Sequence, residues 1–210
     1  MVQTASELRN PGPSAQGAPA EARRREILAA ASRLFRRDGF AATGMRAIAA
    51  ELEMTAGSLY YYFENKQALL AYCQESTLDE LTVAGAIRAG DATSPGRRLR
   101  ELVVAHVVAL NESHPGSLAH LEVEALAPEL RSPLLAKRRA YERRIEGLVR
   151  DGVAAGEFRD VDPRLTALAL LGALNWTVKW FREDGARTAA EVGERFADLF
   201  LGGLQNREST

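Results

Sequence analysis

The apolar residues of this 210-residue chain recur at helical spacing from Glu21 almost to the C-terminus, and this periodicity constrains the fold most strongly. The first stripe occupies positions i, i+1, i+4, i+7 and i+8, which share one helix face: Ile27, Leu28, Ala31, Leu34 and Phe35. No segment shows the sustained alternation of a β-strand. The sequence therefore predicts an all-α protein of about nine helices.

Polar start signals indicate where the later helices begin. Asn65 precedes a long apolar pattern, and Thr188 together with Glu191 forms a capping box. Three Ser-Pro or Asp-Pro pairs supply an N-cap followed by proline at the first helical position, at 94–95, 132–133 and 162–163. We expect a separate helix to begin at each of these places.

Composition divides the chain into a leader and two helical parts. Residues 1–19 are rich in Pro, Gly, Ser and Ala without periodicity, which predicts a disordered leader. We expect 20–66 to form a first helical domain and 67–210 a second. A single cysteine and the lack of a long apolar run favour a cytoplasmic protein, and the net charge of −1 does not by itself indicate a nucleic-acid partner.

Two short helices follow the first stripe and are separated by a tight turn. Thr43-Gly44 opens the earlier helix, and the later one begins near Thr55. Two short helices packed behind a longer one describe a helix-turn-helix unit. The second of them carries four consecutive aromatic residues, within the stretch TAGSLYYYFENK.

Helical geometry divides the aromatic run between two faces, because successive residues turn by about 100°. Leu59 and Phe63 are four residues apart and form an apolar pair that we expect to face the core. Tyr60 and Tyr61 are then displayed outward, and Tyr62 falls on a flank. Either these rings contact DNA, or they cover an intersubunit or interdomain surface.

The residues around the tyrosines favour DNA. A tyrosine ring can lie against a sugar or a thymine methyl group, and its hydroxyl can reach a phosphate or a base edge. Gly57 permits close approach to the duplex, and Thr55 can cap the helix while first-turn amides meet a phosphate oxygen. Lys66 is placed to neutralise another phosphate.

One known pattern matches this part of the chain in order and spacing: Arg25-Glu26-Ile27-Leu28, Phe35, Gly39-Phe40, Thr43, Ile48-Ala49, Gly57-Ser58-Leu59-Tyr60-Tyr61-Tyr62-Phe63 and Lys66. These residues resemble the DNA-binding domain of the TetR family of bacterial transcriptional regulators. The resemblance implies an all-helical homodimer, in which three N-terminal helices bind a double-stranded DNA operator. The remaining helices would bind a ligand and form the dimer.

The resemblance also assigns further positions to the DNA surface: Thr43, Gly44, Arg46, Ala56, Ser58 and Tyr62. Two positions depart from the family pattern. Glu53 stands where a turn glycine is often found, and Ala56 stands where a basic residue is frequent. Because Ala56 removes a common base or phosphate contact, the resemblance does not imply the operator sequence.

The second domain carries polar residues inside helical apolar patterns. His106 lies within an apolar stripe, where a ligand role and a core role bonded to backbone are both open. Asn175 beside Trp176 and Trp180 can line a cavity, since each indole combines apolar area with one donor, or can simply pack between helices. The predicted ligand-binding residues are His106, Leu110, Leu121, Glu122, Tyr141, Asn175, Trp176 and Trp180.

The last two predicted helices combine small residues with an apolar stripe through Val192, Phe196 and Leu199. Paired antiparallel helices from two subunits would bury such a stripe. By the family resemblance this is the dimer interface, a four-helix bundle to which Leu168 and Gly172 also belong. A monomeric core that uses the same stripes is the alternative.

The sequence thus indicates a ligand-responsive repressor, released from a palindromic operator by a small hydrophobic effector. Residues 172–185 resemble TetR-family members that sense acyl-CoA thioesters in fatty-acid, steroid or aromatic-acid breakdown. One alternative is a regulator of a drug or efflux gene that responds to an uncharged or aromatic compound. Another class is a helical enzyme or adaptor acting on CoA esters.

The motifs of catalysis are missing from the sequence. It has no phosphate-cradling glycine loop, no Walker motif and no G-x-S-x-G elbow, so we expect no enzyme. His120 and Glu124 share a helical face but have no evident third ligand, and we expect neither a metal site nor a cofactor.

Overall fold

The computed structural model describes residues 18–90, 92, 94–113 and 123–205, and within these ranges the architecture is all-α, as predicted. These residues form eight α-helices, in chain order: α1 Ala18–Asp38, α2 Met45–Glu51, α3 Ala56–Tyr62, α4 Lys66–Ala89, α5 Pro95–Val108, α6 Pro128–Ala154, α7 Pro163–Trp180 and α8 Ala189–Leu204. A π-helix, Ala109–Ser113, continues from α5, and a 3-10 turn, Val123–Ala125, precedes α6.

The predicted leader lies outside the described residues except at its end. Ala18 and Pro19 already belong to α1, so the helix begins earlier than the composition indicated. Proline is tolerated in the first turn of a helix, where its missing N–H has no intrahelical partner. In the described part of the chain no helix is long and apolar enough to cross a membrane.

Helices α1, α2 and α3 pack together as the predicted helix-turn-helix unit. Leu34, Ile48 and Leu59 are buried in its centre, and Phe63 closes it just after α3. Glu53 occupies the turn between α2 and α3 with a φ of +52°, in the left-handed region. That conformation costs most residues about 1–2 kcal/mol relative to glycine, so the departure from the family glycine stores local strain.

Helix α5 is the centre of the second domain and is buried on nearly every side. It packs against α4, α6, α7 and α8. The approach of α8 is closest at Gly193, where an added Cβ would lie 2.9 Å from the Cα of Val104. Helix α4 begins in the helix-turn-helix unit and runs along α5 and α6, so a single helix contacts both halves of the protein.

Most of the predicted helix starts are confirmed. Asn65 Oδ1 accepts from the Ala68 amide, Ser94 and Asp162 cap α5 and α7, and both bonds of the Thr188 capping box are present. The start predicted at 132–133 is wrong, because Pro128 takes the first helical position of α6 and Pro133 lies inside it. Pro133 is exposed, so solvent can replace the helical bond that proline removes.

Candidate functional site

The two predicted faces of α3 are confirmed. Leu59 is fully buried, whereas Tyr60 and Tyr61 are 50% and 51% exposed. Tyr62 is half-buried on the flank, and its ring meets that of Tyr61 edge to face at a centroid distance of 5.3 Å. The helix therefore presents two aromatic rings with hydroxyl tips to solvent.

The N-terminus of α3 is organised by Thr55. Its Oγ1 accepts a hydrogen bond from the Ser58 amide at 3.1 Å and lies 2.8 Å from the Ser58 hydroxyl. Gly57 is exposed, and an added Cβ would meet nothing closer than Thr55 Oγ1 at 3.9 Å. The fold itself does not require glycine there, so the missing side chain matters for what approaches from outside.

The predicted DNA residues of α2 differ in their placement. Gly44 precedes the helix in extended conformation, and both Gly44 and Arg46 are exposed. Thr43, in contrast, is 2% exposed and its hydroxyl donates to the Gly39 carbonyl at 2.8 Å. The side chain of Thr43 therefore has a structural role, contrary to the prediction, because it holds the loop that leads into α2.

Lys66 also has an intramolecular role that its sequence position did not reveal. Its Nζ donates to the carbonyls of Phe40, at 2.7 Å, and Ala41, at 3.3 Å. The same ammonium lies 4.3 Å from the centre of the Phe40 ring. Lys66 thus ties the first residue of α4 to the loop after α1, beside the surface that α3 presents.

A cavity of about 250 Å³ opens between α4, α6 and α7, with α5 at its base. His106, Tyr141 and Asn175, three of the predicted ligand residues, come together in its wall. The lining residues are Leu78, Leu81, His106, Arg138, Tyr141, Glu142, Leu168, Leu171, Gly172 and Asn175. The leucines were not predicted, because an apolar residue on a helix gives no sequence signal that separates a cavity wall from a core.

His106 is the centre of a buried polar network. Its Nε2 lies 3.1 Å from Asn175 Oδ1, and its Nδ1 lies 3.1 Å from the Tyr141 hydroxyl. The amide oxygen accepts, so the proton is on Nε2 and the Tyr141 hydroxyl donates to Nδ1. Both partners of His106 are side chains. The core role considered from the sequence had backbone groups as the partners instead.

Burial keeps this network uncharged. It lowers the pKa of His106 to about 4, and the bond to Asn175 offsets only part of that effect. Burial also raises the pKa of Tyr141 well above its usual range. The cavity wall therefore offers neutral hydrogen-bonding groups near neutral pH, which suits a neutral polar part of a ligand rather than a bare charge.

The rim of the cavity is different in character. Arg138 and Glu142 are partly buried on α6, and burial lowers the pKa of Arg138 from its usual value. Across the opening, Leu168 and Gly172 of α7 are exposed. A ligand that enters here passes the guanidinium group of Arg138 and the carboxyl group of Glu142 before it reaches the neutral network.

Trp176 and Trp180 do not line this cavity, so that prediction is wrong. They are 59% and 47% exposed, and Trp180 meets Phe196 of α8 at a ring distance of 6.3 Å. Their prediction failed because α7 is apolar on two faces, and sequence does not show which face turns inward. Leu110 is buried in the core, and Leu121 and Glu122 lie outside the described residues.

An apolar surface runs along α7 and α8. It contains three of the predicted dimer residues: Leu168 and Leu199, which are exposed, and Phe196, which is half-buried beside them. Val192 is buried within the chain instead, so its predicted place at the interface is wrong. The exposed large residues of this α7/α8 surface are Leu165, Leu168, Trp176, Trp180 and Leu199.

Within the described residues no group of three or more His, Cys, Asp and Glu side chains is placed to hold a metal ion. Glu124, a residue of the pair considered for metal, is exposed and accepts from Arg131 at 2.9 Å. His120 lies outside the described residues.

Comparison with known families covers both halves of the chain. Residues 27–73 match the model of bacterial regulatory proteins of the tetR family. Residues 92–204 match the model of the tetracyclin repressor-like C-terminal domain. The first range contains most of the helix-turn-helix unit, and the second contains α5 to α8.

Several individual proteins are similar over most of their length. The HTH-type transcriptional repressor KstR2 of Rhodococcus jostii is 30% identical over 200 residues, which cover 92% of this chain and 97% of that protein. The structure of the ketosteroid transcriptional regulator KstR2 of Mycobacterium tuberculosis has a TM-score of 0.80 at 26% identity, covering 88% and 96% of the two chains. The complex of AibR with isovaleryl coenzyme A and operator DNA has a TM-score of 0.73 at 30% identity, covering 87% and 98%.

Proposed function

The chain belongs to the TetR family of bacterial regulators and is a DNA-binding transcriptional regulator, and from that premise we propose that it is a cytoplasmic repressor released from its operator by an acyl-CoA thioester. The observation that carries this proposal is the cavity with its neutral His106 network beside α4. Helix α4 contacts the helix-turn-helix unit as well as the second domain. A ligand in the cavity therefore acts on the helix that connects ligand binding to DNA binding.

The DNA surface is the exposed side of α3 with the loop before it. Tyr60 and Tyr61 read the major groove, and the α3 amides near Ser58 meet a phosphate. Around them lie the other exposed predicted residues, Gly44, Arg46, Thr55 and Gly57, with Ala56 and Tyr62 partly exposed at the edges. Lys66 contributes a third N–H to a phosphate while it holds the Phe40 loop.

The effector places its acyl group in the cavity and its CoA head outside. A volume of about 250 Å³ is just below the range of about 300–1,000 Å³ typical of ligand pockets, so it favours a short acyl chain over a steroid ring system. Arg138 at the rim and the exposed arginines Arg139 and Arg143 on α6 lie where the phosphates of CoA would leave the cavity. The AibR neighbour, whose complex contains isovaleryl coenzyme A, supports this ligand class.

The domain boundary falls within α4. Residues 20–66 form the DNA-binding domain and 67–210 the ligand-binding and dimerisation domain, so Lys66–Ala89 starts at the end of one and runs through the other. Release requires that the effector binds more tightly to a conformation in which the two recognition helices no longer match the groove. A coupling of about 1–3 kcal/mol weakens operator binding roughly 5- to 150-fold.

The α7/α8 surface forms the dimer. Leu168, Trp176 and Leu199 are exposed although they are apolar, and a second copy of the same surface covers them. Two recognition helices separated by roughly 34–36 Å then enter successive major grooves of a near-palindromic operator.

The test titrates isovaleryl-CoA, hexanoyl-CoA and octanoyl-CoA, with the matching free acids, against the operator complex and the free protein. The CoA esters are expected to raise the melting temperature and to release DNA, as binding to one state requires. Leu171→Trp fills the cavity and should retain DNA binding while it loses the response. The same substitution at exposed Arg164, on the same helix, is the control.

The result also separates the alternatives. Stabilisation by an uncharged aromatic compound or a free acid, with no response to any CoA ester, would replace the thioester by another effector class. Hydrolysis of the thioester by the protein would support the enzymatic alternative instead.

A further inference from the structure

A fully buried glutamine lies on α4, next to the part of that helix that lines the cavity. Gln74 is on α4 with no exposed surface, one helical turn before Leu78. At about 100° per residue, Leu78 lies about 40° to one side of Gln74 and Leu81 about 20° to the other. Both leucines line the cavity, so Gln74 belongs to the same helix face and lies about 6 Å from Leu78 along the axis of α4, on the N-terminal side.

The amide of Gln74 is unusual because it is not satisfied. Among the described residues neither Oε1 nor Nε2 has a hydrogen-bond partner. Buried polar groups are almost always bonded, and leaving a donor and an acceptor unpaired destabilises the fold. Other buried polar groups of this domain follow the rule: the Thr77 hydroxyl donates to the Cys73 carbonyl at 2.9 Å, and Asn111 Nδ2 donates to the Val107 carbonyl and the Thr177 hydroxyl at 2.8 Å each.

Helix α4 also has an irregular neighbour. Helix α4 packs against the π-helix Ala109–Ser113 that follows α5. Single turns of π-helix are rare and occur frequently at functional sites. The unsatisfied amide of Gln74 thus lies on the same face of α4 as the cavity residues Leu78 and Leu81. A polar group of a ligand could bind to it there.

We infer that the effector carries a hydroxyl or carbonyl oxygen at the end of its acyl group, and that this oxygen passes Leu78 and bonds to the amide of Gln74. The inference rests on the proposed function, since it uses the same cavity and names the chemistry of the acyl group. Rotation of the Leu78 side chain opens the path, and the His106 network contacts the part of the ligand nearer the rim. A hydroxyl matches either end of the amide, because it both donates and accepts.

This contact would make Gln74 a residue that determines effector specificity. It would also be a contact through which the effector shifts α4. The helix starts at Lys66, which is bonded to the Phe40 loop of the DNA-binding domain. An acyl chain without the terminal oxygen fills the cavity but leaves the amide unpaired. It therefore binds more weakly and shifts α4 less.

The experiment compares hexanoyl-CoA with 6-hydroxyhexanoyl-CoA on the wild-type protein and on Gln74→Met, which keeps a similar length without the amide. The wild type is expected to bind the hydroxylated ester about 3- to 10-fold more tightly, as one net hydrogen bond implies. Gln74→Met should bind both esters equally. Free Gln74→Met should also melt about 2–4 °C higher, because an unpaired buried amide is removed.

Gln67 on the same helix supplies the matched control. Its Oε1 accepts from the Ala127 amide at 2.9 Å, so Gln67→Met breaks a formed bond and should lower the melting temperature while ester discrimination remains. If Gln74→Met lowers the melting temperature as Gln67→Met does, Gln74 is already satisfied in the free protein and the inference is wrong. Equal binding of the two esters by the wild type, or discrimination that survives in Gln74→Met, overturns it as well.

Failure of the proposed function gives a different pattern. In that case neither ester binds to any variant, whereas the thermal comparison of the two glutamines is unaffected. A higher melting temperature for Gln74→Met then still identifies the amide as an unfilled contact, for an effector that is not a CoA ester.

Discussion

Two pairs of aromatic residues, one on α3 and one on α7, are exposed to nearly the same degree, and their surroundings differ. Tyr60 and Tyr61 on α3 have two small residues beside them, Gly57 and the polar Ser58. Trp176 and Trp180 on α7 lie in a surface with Leu165, Leu168 and Leu199. Exposure of a large ring indicates a binding surface, and the neighbours indicate the partner. Hydroxyl tips beside helix amides suit nucleic acid, whereas indoles among leucines suit a second apolar surface.

The largest effect is expected for a charge placed on the α7/α8 surface. Leu199 is 69% exposed in the single chain, and Leu199→Arg would bury two like charges where two copies meet. An unpaired buried charge costs roughly 3–5 kcal/mol, so the dimer should dissociate and operator binding should collapse. Sedimentation at micromolar concentration measures this. A variant that stays dimeric would place the interface elsewhere.

The next effect separates the inner face of α3 from its outer face. Leu59→Ala removes a fully buried side chain and should lower the free energy of unfolding by about 2–5 kcal/mol. Tyr60→Ala should leave stability within about 0.5 kcal/mol, as surface changes do. Denaturant unfolding of both variants gives the comparison. The assignment of the two faces fails if Tyr60→Ala is the more destabilising.

A smaller effect concerns what the tyrosines contact. Tyr60→Ala should cost about 1–3 kcal/mol of binding at the preferred operator if the ring reads a base. Tyr60→Phe keeps the ring and removes the hydroxyl, so it divides that loss between ring and hydroxyl contacts. Trp176→Phe, a conservative change on the other aromatic surface, is the control and should not alter sequence preference. Unchanged operator affinity for Tyr60→Ala would assign the α3 surface to another partner.

The smallest effect is expected for Lys66. Lys66→Met removes the bonds to the Phe40 and Ala41 carbonyls and should lower stability by about 1 kcal/mol. The proposed phosphate contact should also reduce the salt slope of operator binding by about 0.9. Titration at several salt concentrations separates the two roles. A slope equal to that of the wild type would leave Lys66 only the structural one.

The helix-turn-helix unit was predictable because its signals are local. Each signal can be recognised from a few neighbouring residues: the N-cap Thr55, the turn at Glu53 and the i, i+4 pair Leu59 and Phe63. The structure confirms these roles. The structural role of Lys66 was not predictable, since the carbonyl it binds is 26 residues away.

The cavity depends on contacts that no local pattern contains. His106 meets Tyr141 across 35 residues and Asn175 across 69, so the sequence indicated the members but not their network. Val192 and Leu199 are seven residues apart and share a helix face by periodicity, yet one is buried and the other exposed. Burial along α8 depends on where α5 covers it, and periodicity does not contain that information.

The π-helix after α5 acts as a spacer of fixed length. It closes hydrogen bonds five residues apart instead of four, and so it holds one residue more than an α-helical path would. Within it, Asn111 donates to Thr177 of α7, and Glu112 accepts from the Ala189 amide at the start of α8, at 2.9 Å. Deleting one residue from Ala109–Ser113 would turn the following side chains by about 100° and detach both anchors. The number of residues in this segment, more than their identity, therefore determines how α5 is rotated and positioned relative to α7 and α8.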